Sequence, residues 1–285
     1  MNRSLTSTSV RADAPHGGRG RTKRPNGETP PARTARPDTV EPARAPDGDV
    51  APTPTDRTQP ATPRGAAPGE REAVDLHFVD DGSRDETPAR LAALAAAAPG
   101  RIRVQRLAAN RGKAEAVRTG LAAAIAEGYP LVGYLDADLA APLDTAMLLR
   151  NVLIEMPAVS MVLGSRVKLL GWRIRRSEKR HYLGRVFATF ASMALDLPVY
   201  DTQCGAKAMR ASPALAAALE APFLSRWLFD VELIARLRDA LGVDALRELP
   251  LPRWEDPGGS SVGLKDFVRA PLELWRIRRR YPPRG

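Results

Sequence analysis

Hydrophobic positions are spread very unevenly along this chain. They are sparse up to about residue 72, and from Val74 onward they come in short runs closed by acids or turn residues. Val74–Val79 (VDLHFV) is β-prone and ends in Asp80-Asp81-Gly82-Ser83, which is turn chemistry at the carboxyl end of a strand. Asp85 or Ser83 can cap the Ala/Leu-dense helix from Glu86 to about Ala98, and Pro99-Gly100 stops it. Ile102–Leu107 alternates as a second strand, Asn110-Arg111-Gly112-Lys113 reads as a loop, and Ala114–Glu127 is a helix broken by Gly128 and Pro130. A third strand climbs from Leu131 to Leu135 and delivers Asp136 and Asp138. Strand–helix–strand–helix–strand at this spacing predicts a parallel α/β unit with right-handed crossovers.

The second half continues in the same way. Leu143–Glu155 is helical, and Val159–Leu163 is a buried strand ending in Gly164-Ser165-Arg166. A helix follows around Leu183–Leu195, with Phe187, Phe190, Ala191 and Leu195 expected on one face. Ala206–Arg210 reads as a strand, Pro213–Leu219 as a short helix, Arg226 to about Leu241 as a helix, and Ala245–Pro250 as a strand. Trp254–Val262 is a loop, and Leu264–Arg280 closes the chain as a basic amphipathic helix. There is no internal repeat.

Composition sharpens the boundary. Residues 1–72 hold 12 of the 26 prolines and almost no large apolar side chains, so they cannot bury enough surface to offset their ordering entropy and are expected to be a disordered Pro/Arg/Thr-rich tail. No apolar segment follows Arg3 that would make a signal peptide. Residues 73–285 are enough for one sizeable core. A single cysteine, Cys204, excludes an internal disulfide framework. No apolar run approaches the roughly 18 residues that span a bilayer, which makes the chain soluble or peripheral.

Net charge is +10, much of it local. Arg166, Lys168, Arg173, Arg175, Arg176, Lys179, Arg180 and Arg185 face one acid, Glu178, and Arg276, Arg278, Arg279 and Arg280 form a second cluster. Such patches attract nucleic acid, anionic headgroups or phosphorylated substrates, or are simply solvated. Nucleic acid is disfavoured, because the basic residues lack aromatic interleaving.

Asp136 and Asp138 share one side of an extended chain, at the sheet edge where open α/β folds bind ligands. Two converging carboxylates repel unless a cation or a proton sits between them, and a hard divalent ion that also holds phosphates accounts for them economically. A capping surface turn is the plain alternative.

The ordered set VDDGSRDET, NRGKAEAVRTG, YLDADLAAP, GSR, DTQCGAK, RWLFDVELI and WEDPGGSSV resembles the family 2 glycosyltransferases. It is most similar to the polyprenyl-phosphate sugar synthases, particularly the dolichyl-phosphate β-glucosyltransferase type, over about Val74–Arg280. The resemblance implies a GT-A nucleotide-diphospho-sugar transferase fold, with a mixed, mostly parallel sheet flanked by helices. It also implies inverting transfer of a hexose, glucose first among them, to a polyprenyl phosphate with Mg²⁺ or Mn²⁺. Carried over, Asp80, Asp81, Lys113 and Asp136 would hold the donor, Asp136 and Asp138 the metal, and Asp201, Gln203 and Trp254 belong to the remaining motifs. Asp230 and Asp138 are the candidate catalytic acids. Asp230 could act as an acceptor-side base, as a positioning residue, or as an ordinary acid at a helix N-terminus.

A sugar hydroxyl needs a base, whereas a lipid phosphate is already anionic and needs arginines instead. Arg166, Arg175, Arg176 and Arg180 are the candidates. Transfer to a hydroxyl acceptor, or a degenerate binder of nucleotide sugar or anionic lipid, are the alternatives. Cys204 reads as a small buried hydrophobe, Trp227, Phe229 and Trp254 as stacking or core residues, and His181 as a phosphate contact or an exposed side chain. The sequence departs from the family twice. No VVIPAYNE-like strand precedes Val74, so a sheet without its usual first strand is expected, unless the tail replaces it or the reading frame starts elsewhere. Ala140 stands where some mannose synthases carry a metal-binding Gln. The expected location is cytoplasmic, with peripheral contact at an anionic membrane face.

Overall fold

The computed structural model describes residues 6–10, 74–175, 178–255 and 264–283. Its main sheet has seven strands, in chain order β1 (Thr6–Val10), β2 (Val74–Asp80), β3 (Ile102–Arg106), β4 (Leu131–Asp136), β5 (Met161–Ser165), β7 (Ala206–Arg210) and β8 (Leu246–Pro250). A separate pair is formed by β6 (Arg173–Arg175) and β9 (Arg253–Glu255). The helices are α1 (Thr87–Ala97), α2 (Lys113–Ala126), α3 (Asp144–Glu155), α4 (Glu178–Leu195), α5 (Pro213–Glu220), α6 (Phe229–Leu241) and α7 (Leu264–Arg280).

Spatial order in the main sheet is β3-β2-β1-β4-β7-β5-β8. Five strands run one way, and β1 and β7 run against them, which is the mixed, mostly parallel sheet expected. Period-two alternation sorts the side chains between two cores. Val132, Tyr134, Met161, Leu163 and Met209 face a core built with α2, α4, α5, α6 and α7. Leu131, Leu135, Val162, Ala206 and Ala208 face a second core with α3, Ile174 and Trp254.

The position between β2 and β4, expected to be vacant, is occupied. Thr6–Val10, from the stretch assigned to the tail, pairs antiparallel with both neighbours, with Thr8 opposite Leu76 and Gly133. The physical demand is plain: an open slot would leave the facing N–H and C=O groups of two central strands unpaired. TSTSV is short and β-branched at alternate positions, which suits a strand. An antiparallel entry needs only backbone pairing. The rest of the expected tail, residues 1–5 and 11–72, lies outside the described residues.

Two further differences concern the basic segment. Arg173–Arg175 forms a parallel pair with Arg253–Glu255, where no strand was expected. Phe190 does not share the buried face of α4: Phe187, Ala191 and Leu195 are buried, whereas Phe190 is 56% exposed. It stands three residues from Phe187 but only one from Ala191, which turns it out of the buried arc.

Candidate active site

Four loops meet at the carboxyl ends of β2 and β4. Asp81, buried at the end of β2, accepts the backbone N–H groups of Arg111 at 2.6 Å and Gly112 at 2.7 Å. This clamps the Asp80-Asp81 turn to the loop that opens α2. Asp80 Oδ1 accepts the Ser83 N–H at 2.8 Å, and the Arg106 guanidinium pairs with its other oxygen at 3.3 Å. Asp81, Gly82, Ser83, Arg106, Leu107 and Asn110 line a cleft of about 590 Å³ beside this turn. Arg226, just ahead of α6, donates to Asn110 at 3.0 Å and tethers the same loop from its far side.

Lys113, the first residue of α2, reaches across to β4, where its Nζ lies 2.6 Å from Asp136 Oδ1. Burial works against its charge, but Asp136, Asp230 and Asp138 outweigh this and hold the ammonium pKa above its ordinary 10.5. Asp136 lies against Gly205, whose carbonyl accepts the Asp136 N–H at 2.8 Å. Any Cβ at position 205 would collide with the Asp136 carboxylate. Asp138 is exposed just past the strand, and its Oδ1 accepts the Ala140 N–H at 3.0 Å.

This donor set fits a hard divalent cation. Both acids offer oxygen donors at one sheet edge, and a lysine ammonium already sits against Asp136 as a cation would. Among the described residues no three His, Cys, Asp or Glu side chains converge. Diphosphate oxygens and water would therefore complete the shell, the pattern in which Mg²⁺ is bound through one or two carboxylates.

Asp230 approaches this site from its buried side, near enough to Lys113 to support its charge. It sits in the first turn of α6, 2% exposed, and its Oδ1 accepts from Lys207 Nζ at 2.5 Å and from the Tyr134 hydroxyl. Lys207 is 1% exposed and also donates to the Cys204 carbonyl at 2.6 Å. Burial and the Asp230 carboxylate push the Tyr134 phenol well above its ordinary pKa of 10.0, so it stays a hydrogen-bond donor. Lys207 and Tyr134 were not singled out from the sequence, although one signal was there: a lone lysine in a strand reading Ala-Lys-Ala-Met requires a buried acid.

The GSR and DTQCG motifs meet as an ion pair. Arg166 grips Asp201 with Nε at 2.6 Å, Nη2 at 2.7 Å and its backbone N–H at 3.1 Å, and its guanidinium lies 5.0 Å from the Trp254 ring centroid. The neighbouring carboxylates outweigh burial and keep this arginine charged. Glu248 holds the Tyr200 and Asp201 backbone N–H groups, and the Gln203 N–H donates to Asp201 at 3.2 Å. Arg175 is exposed and pairs with Glu255 at 3.3 Å. Arg176 and the side chain of Arg180 lie outside the described residues. The structure thus joins Lys113 and Asp136 directly, clamps Asp81 to the loop just ahead of Lys113, and seats Arg166, Asp201 and Trp254 together. Of the four candidate arginines, the described Arg166 and Arg175 pair with different acids, Asp201 and Glu255.

The model of glycosyl transferase family 2 matches residues 66–215. The chain belongs to glycosyl transferase family 2. It is therefore a nucleotide-sugar glycosyltransferase, and the family match runs through Asp80, Lys113, Asp136, Asp138, Arg166 and Lys207. Among solved structures, glucosyl-3-phosphoglycerate synthase from Mycobacterium tuberculosis bound to phosphoglyceric acid is 20% identical, with a TM-score of 0.53 over 74% of this chain and 70% of that one. The same synthase bound to Mn²⁺ and UDP-glucose is 19% identical, with a TM-score of 0.52 over 73% and 68%. At that identity the likeness is one of fold. No curated protein sequence matches the chain.

Proposed function

We propose that this family 2 enzyme transfers a hexose, glucose first among them, from a UDP or GDP donor to a polyprenyl phosphate. The observation that carries the acceptor class is the commitment of Asp230. A hydroxyl nucleophile needs a base within hydrogen-bond reach. The acid expected to serve is instead buried and bonded to Lys207 and Tyr134. An acceptor that arrives as an oxyanion needs no such base.

On this reading Asp81 and the cleft beside it take the nucleoside, and Asp81 also keeps the Asn110–Lys113 loop in place. Lys113 would contact the diphosphate, and Asp136 and Asp138 would hold the metal, Mg²⁺ or the Mn²⁺ that accompanies UDP-glucose in the mycobacterial synthase. When bound, that ion neutralises charge developing on the leaving diphosphate. Arg166 is a positioning residue, fixed between Asp201 and Trp254, and leaves phosphate binding to Arg175, Arg176 and Arg180 of the same segment. β1 completes the sheet beside the donor edge, which supports an enzyme over a degenerate binder.

One observation favours a second reading, a small phosphorylated acceptor. The mycobacterial fold relative binds phosphoglyceric acid. The test supplies Mn²⁺, labelled UDP-glucose and either detergent-dispersed polyprenyl phosphate or phosphoglycerate. Label entering the organic phase supports the lipid acceptor. Label that stays in water as glucosyl-phosphoglycerate replaces it with the second reading, and no transfer from UDP- or GDP-hexoses to either removes both.

A further inference from the structure

Helix α4 is apolar on two opposite sides. Its inner side, Phe187, Ala191 and Leu195, is part of the larger core. Its outer side carries Tyr182, Val186, Phe190 and Met193, at spacings of four, four and three, which makes one stripe along the helix. All four are more than half exposed, up to 69% at Tyr182. Thr189 is the other exposed position of this stretch among the described residues. The one charged residue between Tyr182 and Leu195, Arg185, is turned onto Tyr200: its guanidinium lies 3.7 Å from the ring centroid and donates to the Tyr200 carbonyl at 3.0 Å. A surface helix ordinarily puts charge on the side away from the core.

Helix α7 extends this surface. Arg278 donates to the Met193 carbonyl at 2.5 Å, which sets the last turn of α7 against the last turn of α4. Ala270, Leu274 and Ile277 face the core. Going round the helix from Arg278, at 100° per residue, one meets Trp275, then Arg279 and Leu272. Trp275 and Leu272 are about half exposed, and the Arg279 guanidinium lies 5.4 Å from the Trp275 ring centroid. Arg276 and Arg280 are also exposed.

We propose that this face docks the enzyme on an anionic lipid surface. The α4 stripe and Trp275 enter the headgroup boundary, and the α7 arginines meet lipid phosphates. An exposed apolar stripe of this extent marks an interaction surface. Aromatic side chains rimmed by arginines are the composition that lies in a membrane interface, and no described helix is long and apolar enough to cross one. Charge decides between occupants. A second copy on the same face would bring two arginine clusters together, and like-charge contacts oppose association. An anionic bilayer attracts them, at about 1 kcal/mol for each arginine near the surface, or about five-fold in partitioning. The proposal deepens the polyprenyl-phosphate reading and rests on it for its purpose, since that acceptor resides in a membrane.

The test is co-sedimentation of the full chain with phosphatidylcholine vesicles, with and without phosphatidylglycerol. The expected result is binding only with phosphatidylglycerol. It should fall about five-fold for each of Arg276→Gln and Arg279→Gln, and fall at every salt concentration in Phe190→Ser/Met193→Ser. Circular dichroism melts confirm that these exposed substitutions leave the fold intact. Equal binding by the variants, equal binding to neutral vesicles, or no binding overturns the proposal. So does a dimer in sedimentation velocity that Phe190→Ser/Met193→Ser dissolves, which would assign the face to a second copy. Transfer to detergent-dispersed polyprenyl phosphate is measured alongside: transfer without docking removes this proposal alone, and docking without transfer removes the acceptor reading alone.

Discussion

Lys207→Met is the most discriminating perturbation of this structure. Lys207 and Asp230 are 1% and 2% exposed and meet at 2.5 Å, with Lys207 also bonded to the Cys204 carbonyl. Their Coulomb attraction is largely offset by the cost of drying both charges. Removing one partner is another matter, because it leaves the other charged and buried, at about 3–5 kcal/mol. The Tyr134 hydroxyl still donates to Asp230, which places the expected loss near 3 kcal/mol, toward the lower end of that range. At about 2–4 °C per kcal/mol for a domain of this size, the melting temperature should fall by roughly 6–12 °C. Methionine keeps most of the lysine's length, so cavity formation adds little. The assay is urea unfolding of wild type, Lys207→Met, Asp230→Leu and the double variant. The double variant should recover most of the loss, with a coupling of about 2 kcal/mol or more. A single-variant loss under about 1 kcal/mol, or additive losses, would refute the buried pair and restore Asp230 as a candidate base.

Three further outcomes are expected. Gly205→Ala should fold, yet it must displace the Asp136 carboxylate, so Mn²⁺-dependent UDP-glucose binding by calorimetry should weaken at least ten-fold, about 1.4 kcal/mol; unchanged binding would remove Asp136 from the donor site. Cys204 is fully buried, and burial, with Asp201 beside it, pushes its thiol up to about 12, so a thiol reagent at pH 8 should react only after denaturant is added. Lys113 has a raised folded-state pKa, so its contribution to stability is fully present below the unfolded value of 10.5 and is lost as pH rises through the folded value. The stability gap between wild type and Lys113→Met should accordingly hold through neutral pH and close only in alkali, and a gap that closes between pH 6 and 9 would contradict the Lys113–carboxylate arrangement.

Apart from the short β6–β9 pair, the run of elements from Val74 to Arg280 was legible in the sequence because each short apolar run is closed by its own turn or breaker. The acids at Asp80, Asp81, Asp136 and Asp138 were legible for the same reason: a strand places its last residues at the edge where open α/β sheets bind ligands. What local pattern could not supply was pairing between segments far apart in the chain. Arg166 looked like a free phosphate ligand until tertiary packing set Asp201 and Trp254 against it. Asp230 stood open as a base, a positioning residue or a plain helix N-terminal acid, and local pattern gave no sign that β4 and β7 turn Tyr134 and Lys207 toward it. Phe190 fell outside the buried arc of α4 because the angle between that helix and the core is decided by its neighbours. Thr6–Val10 is the plainest case. Five polar and β-branched residues in a proline-rich stretch carry almost no signal of their own, and become a strand because β2 and β4 leave backbone hydrogen bonds to be met. Local pattern specified most of the elements and the chemistry carried to the sheet edge, since both depend on neighbours along the chain. Which charges face a ligand and which are spent on each other was settled by packing, since that depends on burial.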